Sequence, residues 1–293
     1  MQLSIITPVF NSERFIESCV RSVVEQNCPD VEHLIIDGGS TDRTMEIVKS
    51  YAELHPHIRW LSEKDEGQSD AMNKGLHLAR GSLIGFLNAD DFYEPDALSA
   101  ARRILEELPE PALVIGNCNV IDETGKLLWL NRPDTRYYQL LQTWRFTMPN
   151  NPSSYFYHRS LHEKVGEFDV NEHYVMDYEF LLKAFRAANV VYVDKTFGNY
   201  RMYGDNKTAK LFTTDAGWKL ISDVSQKHVA ADNALYRLHV RLGVALLAQS
   251  MNDQPPSLIF RAKRRLMLLC QNVLDRIVAQ VENFGGKEKT NSK

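Results

Sequence analysis

Residues 32–51 read EHLIIDGGSTDRTMEIVKSY, and this stretch decides the fold. Its first half, ending at Asp37, carries the apolar run His33-Leu34-Ile35-Ile36, which suits a short strand buried in a parallel sheet. Gly38-Gly39 breaks the run, and Thr41 or Asp42 can cap a helix. Met45, Ile47, Val48 and Tyr51 then supply the apolar side of that helix. A strand that passes through a glycine turn directly into a helix is half of a βαβ unit.

The same alternation extends in both directions. Upstream, Leu3–Thr7 is an apolar run ending at Pro8, followed by a helix with Asn11 or Ser12 as N-cap and Phe15, Ile16, Cys19, Val20, Val23 and Val24 on one face. Downstream, Ile58–Leu61 reads as a third strand, Ser69–Ala79 as a third helix and Leu83–Leu87 as a fourth strand. Pro95 sits well in the first turn of a helix running to about Leu108. Strand and helix alternating at this pitch predict an α/β fold, a parallel sheet with helices on both faces.

From Ala112 the pattern changes. Ala112–Ile115 reads as a strand, and Val120–Asp122 with Lys126–Leu130 as a hairpin around Glu123-Thr124-Gly125. A loop follows around Pro149 and Pro152. A helix is expected from about Asp177 to Ala188, then a strand over Val190–Val193. After Asp215 the pattern is helical to about Phe284, interrupted at Pro255-Pro256. The expected division is therefore 1–210 as the α/β domain, 211–284 as a helical C-terminal extension and 285–293 as a polar, disordered tail.

Composition narrows the function classes. The chain has 293 residues and a formal net charge of −4, which argues against a nucleic-acid partner. Cys19, Cys28, Cys118 and Cys270 show neither CxxC spacing nor a nearby histidine cluster, and read as thiols of a reducing compartment. The N-terminal MQLSIITPVF lacks a basic signal-peptide region, and no apolar stretch reaches membrane-spanning length. The expectation is a cytoplasmic protein, with room for contact at the inner face of a membrane.

Ligands of open parallel sheets bind at the carboxyl ends of the strands. Strand one ends in Thr7-Pro8, strand two in Asp37 before two glycines, and strand four in Asn88-Ala89-Asp90-Asp91. Carboxylates gathered at a binding edge call for a cation, and a hard divalent ion that also binds diphosphate supplies it. Strand-end aspartates can also simply cap the next helix. That plainer reading is preferred for Asp42, whereas Asp90 and Asp91 together favour the cation. The turn after strand one, Pro8-Val9-Phe10-Asn11-Ser12, contains no glycine, so a dinucleotide-binding GxGxxG is absent, as is a P-loop.

Six segments then fall in a recognisable order: SIITPVFNSERFIESCVRSV (4–23), LIIDGGSTDRT (34–44), DEGQSDAMNKG (65–75), GFLNADD (85–91), VGEFD (165–169) and HYVMDYEFLLK (173–183). Over about residues 2–205 the chain resembles the family 2 glycosyltransferases. The resemblance implies a GT-A-like fold and a nucleotide-diphosphate sugar donor. Its acceptor would be a saccharide or lipid-linked saccharide, with inversion at the anomeric carbon, in cell-envelope or surface polysaccharide synthesis. It places Thr7, Pro8 and Asn11 against the nucleoside, Asp37 on the base, and Asp70 on the base or donor with Lys74 nearby. Asp90 and Asp91 match the acidic motif that holds Mn²⁺ or Mg²⁺ and contacts the ribose. Asp177 matches the catalytic base, with Glu179 as a weaker substitute. A bare N-cap role is the alternative for Asp177.

The chain departs from the family at two points. Asn88 stands where many members have aspartate; an amide still hydrogen-bonds a ribose but is a poorer metal ligand. Tyr203 stands where many carry a histidine, which leaves Tyr203, Arg201 or Lys207 to meet the diphosphate. Leu258–Val281, with Arg261, Lys263, Arg264 and Arg265, reads as a basic amphipathic helix for a membrane surface, for packing on its own domain, or for a homodimer contact. Trp144, Trp218, Tyr155 and Tyr157 are candidates to stack on an acceptor sugar, although core packing is the commoner role of aromatics. A non-catalytic nucleotide-sugar-binding scaffold and a sugar-phosphate nucleotidyltransferase are the rival readings. The second should carry a glycine-rich loop after strand one, and none is present.

Overall fold

A computed structural model describes residues 2–141, 148–204, 206–207 and 215–230. Its first half realises the expected alternation: β1 (Leu3–Val9), α1 (Ile16–Val24), β2 (Val31–Asp37), α2 (Thr44–Leu54), β3 (Ile58–Ser62), α3 (Gln68–Leu78), β4 (Leu83–Phe86), a two-residue β5 (Phe92–Tyr93) and α4 (Ala97–Glu107). The second half contains β6 (Ala112–Ile121), β7 (Leu127–Asn131), a helical turn α5 (Tyr137–Leu140), a 3-10 turn at Pro152–Ser154, β8 (Tyr155–His158), α6 (Leu161–Val165), α7 (Met176–Ala187), β9 (Asn189–Arg201) and α8 (Asp215–Ala230).

All the described strands join one sheet in the order β3-β2-β1-β4-β8-β6-β9-β5, with β7 paired to β6. The pairs among β3, β2, β1 and β4 are parallel. β8 then runs antiparallel to both β4 and β6, and β6 and β9 return to parallel. Helices cover both faces. Ile16, Val20, Met45, Val48, Leu98 and Leu105 of α1, α2 and α4 pack on one side. Met72, Leu76, Leu161, Tyr178, Leu182 and Ile221 of α3, α6, α7 and α8 pack on the other. Each such fully buried side chain contributes about 1.5–3 kcal/mol of transfer free energy.

The strand order creates the crevice. β1 leads by α1 to β2 on one side, while β3 leads by α3 to β4 on the other, so the order reverses between β1 and β4. Pairing of β1 with β4 stops at Ile6 and Phe86. The next group that would face β4 belongs to Pro8, which has no N–H to leave unmet. Beyond this point the two chains separate, and a gap opens. Helix α3 lies close under it because Gly75 presents no Cβ: one placed there would collide with Cγ2 of Ile6.

The structure departs from the sequence expectations at several elements, among them the short β5, α5 and α6, for which the sequence gives no signal. The sequence around Pro149 and Pro152 reads as loop, whereas β8 is a central strand whose residues are all buried, so no polar alternation marks it. Tyr155 and Tyr157, at 1% and 0% exposure, are therefore core residues and not sugar platforms. The strand expected over Val190–Val193 continues to Arg201, with a register shift against β6 near Asn117 that hides its length in the pattern. Helix α1 starts at Ile16, with no side-chain cap from Asn11 or Ser12. Trp144, the Trp218 side chain, the basic segment Leu258–Val281 and the tail from Gly285 lie outside the described residues. Among the described residues, no helix is long and apolar enough to cross a membrane.

Candidate active site

The gap between β1 and β4 opens into a cleft of about 660 Å³. Pro8, Val9 and Phe10 leave β1 on its wall, and Asn88, Ala89 and Asp90 follow β4. Gly38 and Asp65 close the end beside β2 and β3, while Asp177, Tyr203 and Lys207 come from the second half of the chain. Of the residues singled out in the sequence, Pro8, Asn88, Asp90 and Asp177 meet here, together with Tyr203 and Lys207.

Asp90 and Asp91 are adjacent in sequence but face different ways. Asp91 is fully buried and turned into the protein. Its Oδ1 accepts the Arg201 N–H at 2.9 Å, and its Oδ2 accepts Asn151 Nδ2 at 2.7 Å and Asn88 Nδ2 at 3.2 Å. Expected among the metal ligands, it instead pins the β4 end to β9 and to the 3-10 turn. Burial and the neighbouring Asp90 charge push its carboxyl well up from the ordinary range. Asp90 lines the cleft, and its Oδ2 accepts the Tyr203 hydroxyl at 3.1 Å. Burial raises its pKa, against the pull of Tyr203 and Arg201.

This arrangement explains the departure at Asn88. Its Nδ2 donates to Asp91, and its Oδ1 accepts Gln68 Nε2 at 3.1 Å. An aspartate at 88 would set another carboxylate against buried Asp91 and offer it no donor. Asn151, which the sequence had not marked, completes the same lock: its Oδ1 caps the 3-10 turn through the Ser153 N–H while its Nδ2 holds Asp91.

Among the described residues, no three histidine, cysteine or acidic side chains stand close enough to form a metal cage. A diphosphate-bound Mg²⁺ or Mn²⁺ does not require one, since such ions keep water and phosphate oxygens and take one or two carboxylates from the protein. Asp90 fits that need. Its carboxylate is on the wall beside buried Asp91, so an adjacent cation would offset the burial that raises its own pKa and the Asp90 charge that raises that of Asp91.

Asp177 lies in the first turn of α7 and lines the cleft. Its Oδ1 accepts the Tyr178 N–H at 2.8 Å. Burial raises its pKa, while that N–H and the Lys207 ammonium pull it back. Lys207, on the same cleft, sits 5.2 Å from the centre of the Tyr174 ring, and burial lowers its own pKa. Glu179 is on another side of α7. It is ion-paired with Lys183 at 3.5 Å, Lys227 at 3.5 Å and His228 at 3.7 Å, and its pKa is pulled down to about 2. A carboxylate so stabilised is a poor proton acceptor, and it ties α7 to α8.

The remaining sequence candidates lie off the cleft wall. Thr7 is buried and bonded to His33 Nε2 at 2.9 Å, so it supports β1 from inside. Asn11, at φ 46°, bridges to the loop after β2: its N–H donates to Ser40 Oγ and its Oδ1 accepts the Thr41 N–H. Asp37 is fully buried and its oxygens are taken by the Ser40 N–H and hydroxyl and by the Ser62 hydroxyl at 2.6 Å. Asp70 accepts the Glu66 N–H, and Lys74 pairs with Asp70 at 3.2 Å and Glu63 at 2.9 Å, shaping the β3–α3 turn. Asp42 accepts the Thr44 N–H at 3.0 Å at the start of α2, the capping role preferred for it. Arg201 packs between the rings of Phe15 and Phe92 and donates to the Asp90 carbonyl oxygen at 2.6 Å, so it positions the acidic turn from behind.

Comparison with known proteins agrees with this geometry. A PGL/p-HBAD biosynthesis glycosyltransferase of Mycobacterium bovis is 30% identical over 69% of this chain and 77% of its own. Glycosyltransferase EpsJ of Bacillus subtilis, itself uncharacterized, is 30% identical over 64% of this chain and 57% of its own. The chondroitin synthase of Escherichia coli is 36% identical over 43% of this chain, which spans only 18% of that protein's length. Among solved structures, S. aureus TarS 1–349 in complex with UDP-GlcNAc superposes with a TM-score of 0.63 at 18% identity, over 84% of this chain and 71% of that one. Such likeness establishes the GT-A type of α/β fold. The family model described as glycosyl transferase family 2 matches residues 4–166, more than half of the sequence. The chain belongs to glycosyl transferase family 2.

Proposed function

We propose that the protein transfers a hexose-type sugar from a nucleotide-diphosphate donor to a hydroxyl of a saccharide or lipid-linked saccharide, with inversion. The observation that carries this reading is the presence of Asp90 and Asp177 on one cleft at the carboxyl ends of parallel strands. One carboxylate suits a cation on the diphosphate, and the other suits a proton. The nucleoside end lies toward Pro8, Gly38 and Asp65, and the acceptor end toward Asp177 and Tyr174. Relatives named for chondroitin and for PGL/p-HBAD synthesis support a saccharide-type acceptor.

The acceptor oxygen attacks the anomeric carbon from the face opposite the diphosphate. A new C–O bond forms, the bond from C1 to the phosphate oxygen breaks, and its electron pair leaves with the diphosphate. Asp177 takes the acceptor hydroxyl's proton, and its raised pKa brings its basicity closer to the working pH. A divalent cation held by Asp90 would supply positive charge to the departing diphosphate. Tyr203 orients the Asp90 carboxylate, and Lys207 adds the ammonium that a diphosphate attracts. Helix α8 packs Ile221 and Val224 on the face that also covers α7. This supports a helical extension that, over these residues, belongs to the catalytic domain's own core.

The test is single-turnover transfer from a set of UDP- and GDP-sugars, with the anomeric configuration of the product read by proton NMR. Inverted product, lost in Asp177→Asn while diphosphate binding persists, is the expected outcome. Retained configuration, or unchanged turnover in Asp177→Asn, refutes the assignment of the base.

A further inference from the structure

Tyr155 and Tyr157, the described aromatics singled out in the sequence as sugar platforms, are buried in the core. Among the described residues, two other aromatics on the cleft wall keep half or more of their surface in solvent, Phe10 at 62% and Tyr174 at 50%. Phe10 follows Pro8 and Val9 at the nucleoside end. Tyr174 stands just before α7, the helix that carries Asp177, at the end where an acceptor enters.

The exposure of Tyr174 is not slack in its loop. Ser69 Oγ of α3 donates to the Glu172 carbonyl oxygen at 2.7 Å. Glu172 Oε1 in turn accepts the Tyr174 N–H at 2.8 Å and the Val175 N–H at 3.1 Å. Gly67, at φ 121°, lets the start of α3 approach the same loop: a Cβ there would stand 3.2 Å from His173 Nδ1. Over one face of the Tyr174 ring, Lys207 Nζ sits 5.2 Å from its centre, a cation–π distance. The ring is thus mounted on a fixed backbone and held from one side, with its other face left for a ligand. Apolar surface kept in water forgoes hydrophobic stabilisation, which the apolar face of a ligand would restore.

We propose that Tyr174 is the acceptor platform: a pyranose ring of the acceptor stacks on its open face while one of its hydroxyls reaches Asp177. This rests on the transferase reading above. A pyranose is polar around its rim and apolar on its faces, where its axial C–H groups gather. A fixed aromatic ring therefore matches a cyclic sugar and has nothing comparable to offer an open-chain polyol, whose hydroxyls are not gathered at a rim. Lys207 and Asp177, on the same cleft, suit the rim hydroxyls. The acceptor class is a pyranoside and not a polyol chain.

The experiment is saturation-transfer NMR of methyl β-D-glucopyranoside, chitobiose and sorbitol with the wild type, Tyr174→Ala and Tyr174→Phe. Each sample holds Mn²⁺ and the tighter binding of UDP and GDP, whose affinity is measured in parallel by calorimetry. In the wild type the pyranosides should receive saturation, strongest at the protons of one ring face, and sorbitol should not. Tyr174→Ala should weaken pyranoside binding at least about 5-fold, as loss of stacking on an aromatic ring implies. Tyr174→Phe keeps the ring and should stay within about 2-fold of the wild type, as should diphosphate affinity in both variants. Sorbitol that binds as well as the pyranosides, or pyranoside binding that survives in Tyr174→Ala, overturns the platform and leaves the transferase reading standing. So does failure of the pyranosides to bind while the diphosphate binds, or an equal loss of diphosphate affinity in Tyr174→Ala. Failure of both diphosphates to bind the folded wild type overturns both readings.

Discussion

Replacing Glu179 by glutamine should cost stability in a pH-dependent way without touching the chemistry. Glu179 has a side chain only 12% exposed and is ringed by Lys183, Lys227 and His228. His228 is the largest influence drawing its pKa down to about 2 from the ordinary 4.5, against the opposing effect of burial. At about 1.4 kcal/mol per pKa unit, that depression corresponds to an upper bound of about 3.5 kcal/mol. His228 stands at 3.7 Å, an ion-pair distance and not a hydrogen bond, and Lys227 is 72% exposed. Solvent screening therefore reduces the expected contribution to about 1–2 kcal/mol.

The sign follows from the depressed pKa. The contribution is fully present above the unfolded-state pKa near 4.3 and is lost as pH falls toward about 2. Urea denaturation of wild type and Glu179→Gln at pH 7, and at steps down to the lowest pH at which both fold, measures the gap. It should be about 1–2 kcal/mol at neutral pH and shrink below about pH 4.5. A gap that is absent, or that stays constant with pH, refutes the reasoning. Turnover per folded molecule should be unchanged, which separates Glu179 from Asp177.

Other expectations concern the site and its support. Asp177→Asn should lower kcat by about 10²–10⁴-fold. In the wild type, the acid limb of the kcat/KM profile should lie above the ordinary aspartate value of about 3.9. Lys207→Met removes a charge that holds the Asp177 pKa down, so that limb should move to higher pH; an unmoved limb would dissociate the two groups. Asn151→Leu strips the buried Asp91 carboxylate of its 2.7 Å donor and should destabilise by about 1–3 kcal/mol in urea titrations. Gly75→Val forces a side chain against Ile6 under the cleft floor and should lower stability by about 1–3 kcal/mol in urea titrations; an unchanged stability would refute the close approach of α3.

How far the sequence could be read depended on whether one element carried its own signal. β1 to β4 and α1 to α4 each combine an apolar run or face with a breaker, and all appear close to their expected bounds, whereas the two-residue β5 carries no such signal. β8 escaped because Tyr155, Phe156, Tyr157 and His158 are buried on both faces, so the strand has no alternation, and its aromatics look like ligand platforms. The second half of β9 escaped because the register shift near Asn117 interrupts its pattern. At the site, a motif identifies which residues gather at a strand end but not which way each side chain turns. Asp90 and Asp91 are neighbours with opposite orientations, set by donors from residues 88, 151 and 201. The place of Tyr174 on the cleft depends on Ser69 of α3 holding the Glu172 carbonyl, a long-range contact that no local pattern records.

The central claim is a metal-assisted diphosphate site with Asp90 on its wall. Its most direct test is calorimetric titration of UDP into the wild type and Asp90→Ala, each with and without Mn²⁺. Micromolar binding to the wild type is expected, weakening when the metal is removed and weakening again in Asp90→Ala, with the metal dependence lost. Binding that is indifferent both to Mn²⁺ and to the loss of the Asp90 carboxylate would contradict it.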